Sequence, residues 1–108
     1  MLDAPFLADR IRRRRLSPVE VIDDVLARIA LRNPALNAFL AVFDESARRA
    51  AIRAERRVMR RGQLPPLLGV PVSVKDLVLT TEGPTTAGSR IFGDGLVAER
   101  DAPLVRRL

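Results

Sequence analysis

The chain has 108 residues, is 47% hydrophobic, and carries a net charge of +6 that rests on eighteen arginines and one lysine. It contains no cysteine and no histidine, which removes disulfides, thiolate nucleophiles, a His-based triad and the usual zinc ligand sets. No apolar run approaches the roughly 20 residues of a spanning helix, so no membrane partner is expected.

The N-terminal stretch MLDAPFLADRIRRRR places its charges after its apolar residues and shows no cleavage site. It is not read as a secretory leader, and the cytoplasm is the expected compartment. Asp3 as N-cap and Pro5 in the first turn predict a helix over 4–15, with Phe6, Leu7, Arg10, Ile11 and Arg14 along one side. The four arginines 12–15 then fall in the last turn, where cations complement the helix dipole. Ser17 and Glu20 form a capping box around Pro18, and Val19, Ile22, Val25, Leu26 and Ile29 recur at helical spacing. Asn33-Pro34 is expected to stop this second helix.

ALNAFLAVFD is ambiguous between strand and helix, and Phe39, Leu40, Val42 and Phe43 favour a short buried strand. From Asp44 to Arg61 the composition is almost all Ala, Arg and Glu, predicting a helix with Ala47, Ala50, Ala51, Ala54 and Val58 inward and Gly62 at its end. Seven arginines (48, 49, 53, 56, 57, 60 and 61) populate this helix. An Arg-rich face of this kind could bind polyanions. Thirteen acidic residues are interspersed, however, and Trp and Tyr are absent, so stacking platforms are lacking. Nucleic acid is therefore not the expected partner, and a small Arg-rich nucleic-acid-binding module stands as an alternative.

Residues 67–79 predict a strand, with Val70, Val72 and Val74 on one face and Pro71, Ser73 and Lys75 on the other. Residues 80–99 read as a long Thr/Gly-rich loop, and long loops in compact domains are commonly functional. Residues 101–108 read as the start of a helix with Asp101 as N-cap and Pro103 in its first turn. Its apolar side is barely begun, the pattern of a fragment. Residues 1–61 are thus mainly helical, followed by the strand, the loop and the helix start.

The single lysine, Lys75, has two readings. It is a snorkelling or ion-paired cation, with Asp76 as the neighbouring partner, or it is a switchable one. Desolvation lets an ammonium lose its proton, whereas a guanidinium stays charged.

The segment LLGVPVSVKDLVLTTEGPTTAGS closely resembles the surroundings of the catalytic lysine in the amidase signature family. SPVEVIDDVLARIALRNPALNAFLAV and DAPLVRRL resemble the family's N-terminal helices, first strand and following helix, so the resemblance covers nearly the whole chain. It implies an α/β fold in which a mixed central sheet is wrapped by helices, with only the N-terminal helices and first strands present here.

It also implies hydrolysis of carboxylic amide C–N bonds by a Ser–cis-Ser–Lys triad, with Lys75 as the catalytic base. Ser73 and Asp76 would help to place it, and Thr85, Thr86, Gly88 and Ser89 would line the entrance or hold the lysine. The family's two serines lie in a later Gly- and Ser-rich segment. Ser17, Ser46, Ser73 and Ser89 have no such context, so the chain alone is expected to be inactive, marginally stable and prone to aggregate. The implied partners are a small-molecule amide and the remainder of the amidase domain, with no cofactor and no metal.

An alternative within the family is the amidase-like subunit of a tRNA-dependent amidotransferase. Leu77 resembles the stand-alone amidases, since Asn is usual there in the tRNA-linked branch, whereas the arginine excess favours that branch. Neither the particular amide nor the oligomeric state is legible in these motifs.

Overall fold

The computed structural model describes residues 3–60 and 62–108. It divides into two compact units, one running through Pro71 and the other spanning Val72–Leu108. The described residues form helices and loops, with no strand; the sole ladder contact among them is an isolated antiparallel bridge between Thr85 and Leu96.

In the first unit, α1 (Ala4–Arg12) starts at Asp3, whose carboxylate accepts from the Phe6 N–H at 2.9 Å. It ends at Arg12, short of the end that the periodicity predicts. Arg14 adopts a left-handed φ of 57°, its N–H bonds Ile11 O, and the Arg15 N–H bonds Arg10 O. This is a Schellman closure with arginine in the place glycine usually takes. Only Arg12 of the arginine run is helical.

The second helix, α2 (Pro18–Leu36), opens on a complete capping box between Ser17 and Glu20. It does not stop at Asn33-Pro34. Pro34 lies inside the helix, lacking an N–H for the carbonyl four residues back, and the helix closes at Asn37 in a left-handed conformation whose N–H bonds Asn33 O. The Asn33 side chain then brackets Phe39, donating to its carbonyl at 2.9 Å and accepting from its N–H at 2.8 Å. Those backbone groups are no longer available to a ladder, and the expected strand at 39–43 does not form. Leu40, Val42 and Phe43 are exposed rather than buried.

The third helix, α3 (Asp44–Met59), follows from high-propensity residues with Asp44 and Glu45 in its first turn and Arg56 and Arg57 in its last. It ends at an extended Arg60, before the predicted end; Arg61 lies outside the described residues. Ala51, Ala54 and Val58 are buried, whereas Ala50 is exposed.

The core of this unit has two clusters. Ile11, Val21 and Val58 join α1, α2 and α3, with Leu7, Leu16, Leu64, Leu68 and Val70 around them. Ile22, Leu26 and Ala51 join α2 to α3 alone. Ser17 Oγ donates to Glu55, and Arg48 pairs with Asp23 at 2.8 Å, adding polar links between the two long helices. Gly69 has φ +82° and lies so close to α2 that an added Cβ would sit 2.8 Å from Pro18 Cγ. Only glycine fits that approach.

The second unit lacks the expected strand through its part of 67–79, and 67–71 in the first unit are likewise non-strand. Turns replace it: Val70 N–H bonds Leu67 O at 3.0 Å, and Val78 N–H bonds Lys75 O at 2.9 Å. A strand exists only when a neighbour accepts its backbone groups, and the described residues supply none. Val72, Val74, Leu77 and Leu79 are left exposed. The loop that follows contains one 3₁₀ turn (Arg90–Phe92) and leads to α4 (Pro103–Arg106). The N-cap of α4 is Ala102, not Asp101, for a reason that belongs to the site. No helix among the described residues is long and apolar enough to cross a membrane.

Candidate functional site

Six of the seven candidate residues named from sequence lie around two hydrogen-bonded turns of the second unit. Lys75 ends the irregular segment 72–75, and its carbonyl accepts from the N–H groups of Leu77, at 2.7 Å, and Val78. This tight turn directs the chain into Asp76, whose carboxylate is the organising group. Thr86 N–H donates to Asp76 Oδ1 at 2.7 Å, the Thr86 hydroxyl makes a short bond to Oδ2, and Gly88 N–H donates to Oδ2 at 3.0 Å. The Asp76 carbonyl also accepts from the Ala87 N–H at 3.0 Å. Asp76 thus clasps the Thr-Thr-Ala-Gly turn from ten residues upstream.

The turn is shaped for that clasp. Ala87 and Gly88 both have positive φ, 53° and 64°. For alanine such a backbone costs of order 1 kcal/mol, which the hydrogen bonds to Asp76 offset. Ser89 closes the turn, its N–H bonding Thr86 O and its hydroxyl accepting from the Ile91 N–H. The buried Thr85 is held by its two-way backbone bridge to Leu96 and by its hydroxyl's bond to Val78 O at 3.3 Å. Gly95 allows this approach, since a Cβ there would meet Pro84 Cβ at 2.7 Å.

The acidity of Asp76 follows from this geometry. The Thr86 hydroxyl, the Thr86 N–H and the Gly88 N–H hold its carboxyl below the usual carboxylate value, against partial desolvation; the Lys75 charge adds a smaller lowering. No ion pair joins Lys75 to Asp76 among the described residues, so Asp76 serves the loop rather than neutralising the lysine. Lys75 is exposed, as is Ser73. None of the described residues buries the Lys75 side chain.

A second clasp has no counterpart among the sequence expectations. Asp101 accepts from the Thr81 N–H at 2.7 Å, the Thr81 hydroxyl at 3.0 Å and the Thr80 hydroxyl at 3.2 Å. Ala102 N–H reinforces it through Leu79 O at 3.0 Å. The Thr81 N–H and hydroxyl, with Thr80 and Arg106 contributing less, hold Asp101 below the ordinary carboxylate value. Its carboxylate is spent on Thr80 and Thr81, which is why it does not cap α4. The signal in the sequence is the Thr80-Thr81 pair, two hydroxyls and an N–H awaiting an acceptor; nothing local says which aspartate arrives. Lys75 therefore stands on a segment tied down at both ends of its loop by carboxylates.

Comparison with known proteins agrees with the region that holds this site. The family model described as Amidase matches residues 20–108. The chain is 44% identical over 98 residues to a glutamyl-tRNA(Gln) amidotransferase subunit of Anaeromyxobacter dehalogenans, covering 91% of this chain and 20% of that protein. It is 40% identical over 102 residues to the corresponding subunit of Geobacter metallireducens, covering 94% of this chain and 21% of that protein. It is also 40% identical over 107 residues to a putative amidase, AmiD, of Mycobacterium tuberculosis, covering 99% and 22%. The chain spans about a fifth of the length of these relatives. No solved structure matches it.

Proposed function

This chain belongs to the amidase family, and from that premise we propose that it supplies the general base of an amide-hydrolysing centre, Lys75. The observation that carries the reading is the Lys75-Asp76 pair joined to the Gly-Pro-Thr-Thr-Ala-Gly-Ser loop by the Asp76 clasp, all within the matched residues.

In this reading neutral Lys75 accepts a proton from a bridging serine, which takes one from a nucleophilic serine. The activated oxygen attacks the amide carbonyl, the C–N bond breaks with return of the proton to the leaving amine, and water then hydrolyses the acyl-enzyme. Both serines come from residues outside these 108. Of the serines present, Ser17 is committed to its cap and to Glu55, and Ser89 to the Ile91 turn. The chain by itself should turn over no amide. Contact with the remaining protein would desolvate Lys75. It would also give 67–79 the neighbouring strand it lacks, completing the mixed sheet of an α/β fold; the exposed Val72, Val74 and Leu79 support this. Asp76, Thr85, Thr86, Gly88 and Ser89 act by position, and Ser73 by proximity on the same segment.

The test is a chimera in which these residues replace the corresponding N-terminal portion of the M. tuberculosis relative. It should hydrolyse a chromogenic anilide, and Lys75→Arg should lower kcat/KM about a thousandfold while helical circular dichroism is unchanged. Retained activity in Lys75→Arg would sink the proposal.

A second reading, as part of an amidotransferase subunit, is favoured by the 44% identity to such a subunit. It assigns Lys75 the same proton-accepting role and differs in the fate of the released nitrogen. Exchanging Leu77 for Asn in the chimera and measuring transfer against hydrolysis separates the two.

A further inference from the structure

Apart from Arg15 and Arg32, the described arginines of the first unit fall into two groups. One group is engaged within the fold: Arg13 pairs with Asp9, Arg28 with Asp24, Arg48 with Asp23 and Arg49 with Glu45. Arg12 and Arg14 donate to the carbonyls of Pro66 and Met59, and Arg10 lies over the Phe6 ring. The conspicuous run at 12–15 thus spends three of its four guanidiniums on its own protein.

The other group is Arg53, Arg56, Arg57 and Arg60. All four are exposed and form no ion pair among the described residues, and together they line a concave surface of about 490 Å³ with Gly62, Gln63 and Leu64. Arg53, Arg56 and Arg57 share one side of the last turns of α3 at i, i+3 and i+4, and Arg60 is its extended C-cap. Glu55, the only carboxylate between residues 53 and 64, accepts from Ser17; it does not line this concavity but lines the adjoining one with Arg56, Met59 and Arg60.

Helix-dipole complementarity accounts for arginines in the last turn, but the dipole offers only about half a negative charge. Four cations lining one concavity exceed what the dipole complements. The planar guanidinium fork suits phosphate oxygens in two-point contact.

We propose that this cleft binds the phosphodiester backbone of a nucleic acid without reading its bases. No Trp or Tyr is available to stack on a base, which is why composition alone argues against such a partner. The surface is independent of Lys75 and of the amidase reading.

The test is fluorescence anisotropy of the 108-residue chain with a labelled mixed-sequence RNA of about 16 nucleotides, between about 50 and 200 mM salt. Four phosphate contacts predict a log-log salt slope of about −2.8 for a single strand. Arg53→Gln/Arg57→Gln should halve that slope, as should Arg56→Gln/Arg60→Gln, with far-UV circular dichroism confirming that α3 persists. Arg15→Gln/Arg32→Gln and Lys75→Met should leave it unchanged. Three results would overturn the proposal: an unchanged slope in either folded cleft variant, an equal loss in Arg15→Gln/Arg32→Gln, or displacement of the RNA by polyglutamate at equal charge. The last would assign the surface to an acidic protein segment instead.

Discussion

The unit that runs through Pro71 is held by apolar burial, whereas the unit Val72–Leu108 is held by two carboxylates. Every buried hydrophobic residue of the core, from Ile11 to Val58, belongs to the first. In the second, the buried polar residue is Thr85, and the large apolar side chains around it are exposed. Asp76 and Asp101 there gather three hydrogen bonds each from threonine and glycine donors. The difference teaches where the chemistry lies. Apolar burial carries no titrating group, whereas charge-assisted hydrogen bonds fix the geometry of a loop but leave it responsive to pH.

The comparison breaks most sharply at Ile11, which is 1% exposed. Ile11→Ala should cost about 3 kcal/mol, read as a lower urea midpoint of the helical signal, with the amide protection of Thr86 and Gly88 unaffected until that unit unfolds. A smaller loss is expected from Ser17→Ala, about 1 kcal/mol for the missing cap, in the same denaturation experiment.

The second unit should answer to different changes. Asp76→Asn leaves volume almost constant but removes a charged acceptor. Hydrogen exchange at Thr86 and Gly88 should accelerate roughly tenfold, while Val21 and Leu26 keep their protection. If those helical amides also lose protection, the two units are not held separately.

The mildest perturbation is acid. Both aspartates are held below their ordinary carboxyl value in the folded protein. Their contribution is therefore present above that ordinary value, near 3.8, and is lost as pH falls through the lowered folded value. Amide shifts of Thr81, Thr86 and Gly88 should move together below about pH 4, before the helical signal of the first unit changes. Loss of the helical signal first would reverse the assignment of the two holding forces.

What can be read along the chain is local. The Ser17–Glu20 box, the helical periodicity of α2 and the composition of α3 involve neighbours within one or two turns, and they announce themselves in order. So does the Lys75-Asp76 motif with its Thr-Thr-x-Gly-Ser loop, which carries the family membership. Expectation and structure part where a backbone group or a carboxylate finds a partner that periodicity does not name. Pro34 stays inside α2, which closes three residues later where the Asn37 N–H bonds Asn33 O; Phe39 gives its backbone to Asn33 rather than to a ladder; Asp101 turns to Thr80 and Thr81 instead of capping its own helix.

A short apolar segment such as 72–79 has strand propensity, but propensity does not supply the neighbouring strand whose backbone groups it needs. The same limit applies to charge. Eighteen arginines are visible in the sequence, yet only the packed helices decide that those at the end of α1 bond their own fold while four at the end of α3 line one open cleft. Sequence assigns residue types and local conformation, because these depend on neighbours along the chain. Which carboxylate clasps which turn, and which cation is left for a partner, depends on groups brought together from separate stretches of the chain, and tertiary structure alone settles that.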